Sequence, residues 1–247
     1  MTEPGTVAVN RRTWWNHNDH FHGWVVRRLD GVQGPVLDVG CGTGTLIAAV
    51  RARGLSPAIG VDPDELMAST ARERLAGDGA VAIHQVSFFD LALGAGPVPA
   101  GGVAGVTMIA SLHHLAHERG LAASLEHARG LLAPGGRLVV VGLARASVPA
   151  DYAVDAVSVL LNPAVGLYKA THRRLRPAAV PAGSPADPAH SGMPLRDPDE
   201  TFTEVVRTAA TVLPGARVRR RLWFRYSLEW TAERDGSAPR RAARGRT

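Results

Sequence analysis

The chain has 247 residues, 45% of them hydrophobic and 20% charged, with a single cysteine. That length makes one or two domains and buries a core without disulfide or metal staples. With Cys41 alone, an intrachain disulfide is excluded and a cysteine-based zinc site is disfavoured. The net charge of +6 includes Arg240, Arg241, Arg244 and Arg246 in a tail without apolar periodicity, which leaves +2 for the body. A body so nearly neutral disfavours nucleic acid as the partner.

Residues 1–12 lack the apolar core of a signal peptide. The longest apolar run, near Leu138 to Ala144, falls far short of the roughly 20 residues that span a membrane. The expectation is a cytoplasmic protein with no membrane partner.

In chain order, Arg11 to Leu29 reads as one or two helices carrying Trp14, Trp15, Phe21 and Trp24 among His17, His20 and His22. Short β-branched runs then alternate with amphipathic helices. Strands are predicted at Pro35–Gly40, Ala58–Asp62, Val81–Phe89, Gly105–Ser111 and Arg137–Leu143, and helices at Thr45–Arg53, Asp64–Leu75 and Glu118–Leu132. Pro134-Gly135-Gly136 reads as a tight turn feeding the fifth strand. Strand–helix–strand repetition predicts an α/β fold, a parallel sheet with right-handed crossovers and helices on both faces.

Ala146 to Glu200 breaks the repeat, with a helix expected from Tyr152 to Leu161 and a Pro-rich stretch from Pro177 to Pro198. A segment that long inside a domain reads as a lid or an excursion. Thr201 to Leu213 reads as a helix capped by Asp197 or Asp199. Arg217 to Leu222 and Arg225 to Thr231 read as a closing hairpin, whose arginines resemble a solvated edge.

The most informative segment runs from Val36 to Gly44, a hydrophobic strand ending in Asp38-Val39 and the loop Gly40-Cys41-Gly42-Thr43-Gly44. Alternating glycines let a ligand approach the main chain, and the helix start behind them favours a carboxylate or phosphate. A dinucleotide fingerprint would need glycine at position 45, where Thr45 stands. Asp38 repels a pyrophosphate and suits an ammonium. S-adenosylmethionine carries an ammonium, a carboxylate and a sulfonium, and no phosphate. Asp62 ends the second strand about 20 residues beyond the loop, where a ribose acceptor is expected. Asp90 follows the third strand, positioned for an adenine amino group, with Phe89 or Leu91 against the ring.

The series VLDVGCGTG, GVDPDELM, VSFFDL, IASLHHL and LLAPGGRLVVV resembles the ordered motifs of class I S-adenosylmethionine-dependent methyltransferases, densely over Pro35 to Leu143, and RYSLEW resembles the family's last strand. The resemblance implies a Rossmann-like seven-stranded sheet in the order 3-2-1-4-5-7-6 with the last strand antiparallel. It implies that the loop Gly40, Cys41, Gly42, Thr43 and Gly44 meets the methionine moiety, with Asp62 on the ribose and Asp90 on the adenine. Pro63, Met67 and Leu91 would flank the base, and Ala110 and Ser111 would close the site. Residues 35–145 and 199–232 would form the cofactor-binding core, with 1–34 and 146–198 as lid segments and 233–247 as a flexible arginine-rich tail.

Methyl transfer is an in-line displacement that depends on alignment, with a base helping when the acceptor is a hydroxyl or activated carbon. His113 and His114 follow strand four, and one of them is the candidate base; equally, both are structural, one packed and one solvated. His113 and His117 could share a helix face as metal ligands, but that strand end lacks the carboxylates of metal-dependent catechol methylation, so no metal is expected. Cys41 reads as a packing residue, which disfavours cytosine-5 methylation. The absence of an Asn/Asp-Pro-Pro-aromatic motif after strand four disfavours methylation of base amino groups. The expectation is metal-independent methyl transfer to a hydroxyl, amine or activated carbon of a small organic molecule, a specialised metabolite. A homodimer is compatible with it. The alternatives are an RNA or protein methyltransferase, and a cofactor-binding scaffold without transfer.

Overall fold

The structure, a computed structural model, describes residues 17–149, 151–154, 156–159, 161 and 197–234. Trp14, Trp15, Tyr168, nearly all of the Pro-rich stretch and the tail beyond 234 lie outside the described residues. All of β1 (Val36–Val39) and β2 (Ala58–Asp62) is buried, as is β4 (Val103–Ile109) up to its last residue. Continuous apolar runs of this kind suit parallel strands covered on both faces. With β3 (Val81–Gln85), β5 (Leu132–Gly142), β6 (Arg217–Arg221) and β7 (Arg225–Thr231), they form one seven-stranded sheet ordered β3-β2-β1-β4-β5-β7-β6. Strand β7 is antiparallel to both of its neighbours. This is the order that the resemblance implies.

Six helices cover the sheet: α1 (His17–Arg28), α2 (Thr45–Ala52), α3 (Glu65–Arg74), α4 (Leu112–Arg119), α5 (Leu121–Gly130) and α6 (Phe202–Val212). On one face Leu112, Leu125 and Val205 pack against Leu37, Val106, Leu138 and Leu228. On the other, Phe21, Val25 and Leu29 of α1 join Ile47 and Val50 of α2 over Val36, Val139 and Val141. Further helical residues lie between 151 and 161, as expected for Tyr152 to Leu161. Among the described residues no helix is long and apolar enough to cross a membrane.

Four local expectations are corrected. The third strand ends at Gln85 rather than Phe89, and Phe88–Asp90 form a single 3-10 turn. The helix expected over Glu118–Leu132 is two helices, because Gly120 adopts φ 87° and both ends α4 and begins α5. Pro134-Gly135-Gly136 is a bulge inside β5: Val103 faces Leu132, yet Gly105, two residues on, faces Arg137. Finally, neither Asp197 nor Asp199 caps α6.

Thr201 is the cap of α6. Its hydroxyl accepts from the Glu204 N–H at 3.2 Å, and the Glu204 carboxylate accepts from the Thr201 N–H at 2.7 Å. This reciprocal box satisfies two orphan donors, which a single aspartate further upstream cannot do. Asp199 pairs instead with the His117 ring at 3.0 Å. Thr201→Ala is therefore expected to lower the thermal unfolding midpoint by about 2–4 °C, read by calorimetry. An unchanged midpoint would mean that packing alone holds the start of α6.

Candidate functional site

The site is built at the carboxyl edge where β1, β2 and β4 end side by side. The glycine loop leaves β1 and hooks over β2: the Gly40 and Cys41 N–H groups both donate to the Val61 carbonyl, at 2.9 and 3.0 Å. A Cβ on Gly40 would stand 2.7 Å from the Ser111 Cβ, so the loop runs against the end of β4 with no room to spare. The Ser111 hydroxyl donates to the Val39 carbonyl at 2.8 Å and locks that approach. Gly42 has φ 52°, and a Cβ there would meet nothing within 4 Å, so this loop face is open for a ligand to lie against the main chain.

Asp62 is the hub of the loop. One carboxylate oxygen accepts from the Gly42 N–H at 2.8 Å and the other from the Asp64 N–H at 3.0 Å. Burial pushes its carboxyl above the usual range, and the two backbone donors offset part of that rise. Asp64 in turn caps α3 by accepting from the Met67 N–H at 3.0 Å. Asp62 therefore shapes the loop and retains further lone pairs for a ligand hydroxyl.

Asp38 is 2% exposed, and its carboxylate accepts from the Thr107 hydroxyl at 2.7 Å. Burial pushes it up to about 7; the Thr107 bond works against the rise and the Asp62 charge adds to it. Sequence reasoning missed Thr107. The signal was available, since Thr107 is the one hydroxyl in the apolar strand Val103–Ile109 and lies directly across from Asp38 in the register.

The remaining predicted residues are placed as follows. Cys41 and Thr43 are buried within the loop. Burial pushes the Cys41 thiol well up, which keeps it from acting as a thiolate nucleophile. Gly44 is the cap of α2, with φ 78°. Pro63 is exposed just past β2, and Met67 is buried on α3. Ala110 has φ 55°, a left-handed conformation costly for a residue with a Cβ. Such strain gathers where the backbone is shaped for a ligand.

Beyond β3 the geometry is different. Asp90 is exposed, five residues past the end of the strand, and the structure does not join it to the Asp38–Asp62 cluster by a hydrogen bond. Leu91 is buried in the core, and Phe89 lies under the Arg119 guanidinium at 4.6 Å. His113 and His114 open α4, their ring centroids 4.0 Å apart, with His113 buried and His114 half-buried. Among the described residues no group of three or more His, Cys, Asp or Glu could hold a metal.

Residues 37–138 match the family described as a methyltransferase domain. That match runs from β1 through the glycine loop to the middle of β5 and covers less than half of the chain. No curated protein matches the chain. Among solved structures, the chain resembles the YcgJ protein from Bacillus subtilis at 17% identity and a TM-score of 0.53, over 81% of this chain and 70% of that one. It resembles a SAM dependent methyltransferase from Aquifex aeolicus at 16% identity and a TM-score of 0.50, over 85% and 88%. It also resembles the mitomycin 7-O-methyltransferase MmcR at 19% identity and a TM-score of 0.53, over 87% of this chain but 54% of that one. At these identities the likeness is one of fold.

The group such a domain holds can be tested against the residues present. A buried carboxyl raised to about 7 is the partner an ammonium would stabilise, and the open face over Gly42 is the cradle a methionine moiety would fill. The residues fit S-adenosylmethionine.

Proposed function

We propose that this S-adenosylmethionine-dependent methyltransferase acts on a small organic acceptor, a specialised metabolite bearing a hydroxyl, amine or activated carbon, in the cytoplasm and without a metal. The observation that carries the small acceptor is how the carboxyl edge is covered. Asn18 of α1 accepts from Arg225 at 2.9 Å, and the Ser158 hydroxyl accepts from the Trp223 N–H at 2.8 Å. The first lid segment and the second are thus both tied to the tip of the β6–β7 hairpin. This enclosure suits a compact ligand better than a polymer.

In this reading Asp38 holds the ammonium, Asp62 the ribose hydroxyls, and Ala110 and Ser111 the wall beside the methionine moiety. Bound there, S-adenosylmethionine supplies an electrophilic methyl group on a sulfonium. His114, the more exposed of the two adjacent histidines, takes the proton from the acceptor, and the tilted His113 ring beside it fixes its orientation. The test is mass spectrometry of the full chain incubated with S-adenosylmethionine and a panel of phenols, amines and enolisable ketones. One acceptor is expected to gain a methyl group. His114→Gln is expected to lower kcat/KM by about 10²–10⁴-fold while S-adenosylhomocysteine still binds. Methylation of RNA or protein in place of every small acceptor would overturn the proposal, and full activity in His114→Gln would remove the base.

A further inference from the structure

The hairpin tip carries arginines that the cofactor reading does not use. Strand β6 reads Arg217-Val218-Arg219-Arg220-Arg221, and Arg225 opens β7 directly opposite Arg221. Like charges directly opposed in an antiparallel pair destabilise it. Arg217 and Arg219 are exposed on this edge strand as expected, but Arg221 and Arg225 are not solvated in the same way. The Arg221 Nη2 and the Arg225 Nε are sealed from solvent and have no hydrogen-bond partner among the described residues.

The partners these side chains do have leave most of the charge uncompensated. Arg225 donates to the neutral Asn18 oxygen, and burial holds its guanidinium down to about 10. Arg221 donates to the Ser227 hydroxyl at 2.9 Å and lies over Trp24 at 4.9 Å. Burial lowers Arg221 too; Glu229 is near enough to offset part of that, but its carboxylate is paired with Arg28 at 3.0 Å. Buried cations persist in proteins when an anion completes them.

Arg220, Arg221 and Arg225, with Arg145, line a cavity of about 30 Å³. Among the described residues its one carboxylate is Asp151, which is already occupied by the Arg220 guanidinium and by the N–H groups of Ser147 and Val148, at 3.0 and 3.1 Å. A water needs about 10–15 Å³ by this measure, so the cavity has room for the two oxygens of a carboxylate and not for a whole metabolite. The tip is shaped by two non-glycine residues in the left-handed region, Trp223 at φ 64° and Phe224 at φ 58°. Strain of this kind gathers at ligand clamps.

The cavity lies at the same edge of the sheet as the end of β4. Tyr226, on its wall, pairs with Gly142 at the carboxyl end of β5, and β5 alone separates β7 from β4. At about 4.8 Å per strand, the cavity stands roughly 10 Å from the end of β4 that leads to Ser111 and His114.

We propose that this cavity takes the carboxylate of the methyl acceptor, so that the acceptor is a small organic acid whose accepting atom lies about 10 Å from that carboxylate. Arginine forks match a planar carboxylate through paired N–H donors. The inference rests on the methyl-transfer reading above.

It is tested by calorimetric titration and thermal unfolding of the full chain with benzoate, benzamide and inorganic phosphate as probes. Wild type, Arg225→Met, Arg225→Lys and Arg221→Met are compared, with S-adenosylhomocysteine titrated in parallel. Benzoate is expected to bind and raise the unfolding midpoint, and benzamide to do neither. Both methionine variants are expected to weaken benzoate about tenfold or more, and Arg225→Lys to weaken it less. Equal action of benzoate and benzamide, a response to phosphate alone, or full benzoate affinity in folded Arg225→Met and Arg221→Met would overturn the inference. S-adenosylhomocysteine is expected to bind wild type and all three variants alike. Its failure to bind would remove the methyl-transfer reading while leaving the benzoate result to stand on its own.

Discussion

Asp62→Ala is expected to weaken S-adenosylhomocysteine binding about a hundredfold and to lower the unfolding midpoint by several degrees. Two losses combine. The ribose would lose hydrogen bonds to a charged acceptor, each worth about 1.5–3 kcal/mol. The Gly42 and Asp64 N–H groups would lose their acceptor as well, which leaves the loop held to β2 only through the Val61 carbonyl. Asp62→Asn separates the two. Its one remaining carbonyl oxygen can keep a backbone donor, so the midpoint should recover further than the affinity does. Calorimetric titration beside thermal unfolding reads both, and a folded Asp62→Ala that binds like wild type would remove the nucleoside site.

Cofactor affinity is expected to climb steeply between pH 5.5 and pH 8, by about thirtyfold for a carboxyl that starts near 7 and ionises fully against an ammonium. The group responsible is Asp38, whose burial in the ligand-free protein pushes it up to about 7. Its folded value lies above the roughly 3.9 of an unfolded aspartate, so the native state keeps a proton the unfolded chain has lost. Stability from this group is fully present below about pH 4 and is lost as the pH rises through about 7. Asp38→Asn removes the titration. Without ligand, the variant's unfolding midpoint relative to wild type should be highest at pH 8 and fall steadily toward pH 4, while it binds S-adenosylhomocysteine weakly throughout. Titrations of wild type in two buffers of different ionisation heat should show proton release. A pH-independent affinity in wild type would mean that Asp38 does not meet the ammonium.

Much of this was legible because the decisive patterns are local. A buried parallel strand shows itself in VLDVG and AIGVD, and the glycine spacing after β1 leaves few backbone paths. The strand order came from the resemblance of the motif series rather than from the patterns themselves. What escaped the sequence was set by neighbours distant in the chain. Thr107 matters because β4 lies beside β1, a pairing that no local window shows. Residues Glu118 to Leu132 carry a continuous helical pattern, yet Gly120 divides them because its backbone goes left-handed. Asp199 looked like a cap and is an ion-pair partner, since the Thr201–Glu204 box outcompetes it. The arginines of β6 read as a solvated edge, which holds for Arg217 and Arg219 and fails for Arg221, because Arg225 lies across from it.

The way α1 is anchored has a consequence for biosynthesis. Asn18 meets Arg225, 207 positions later, and Arg28 meets Glu229 at the far end of the chain. The first described helix therefore waits for the last strand. At synthesis rates of about 5–20 residues per second, these two polar ties form only roughly 10–40 s after α1 has been made. Phe21, Val25 and Leu29 can settle earlier on Ile47, Val50 and Val139, so a chain stopped before β7 would keep α1 packed on the sheet but without its two polar anchors.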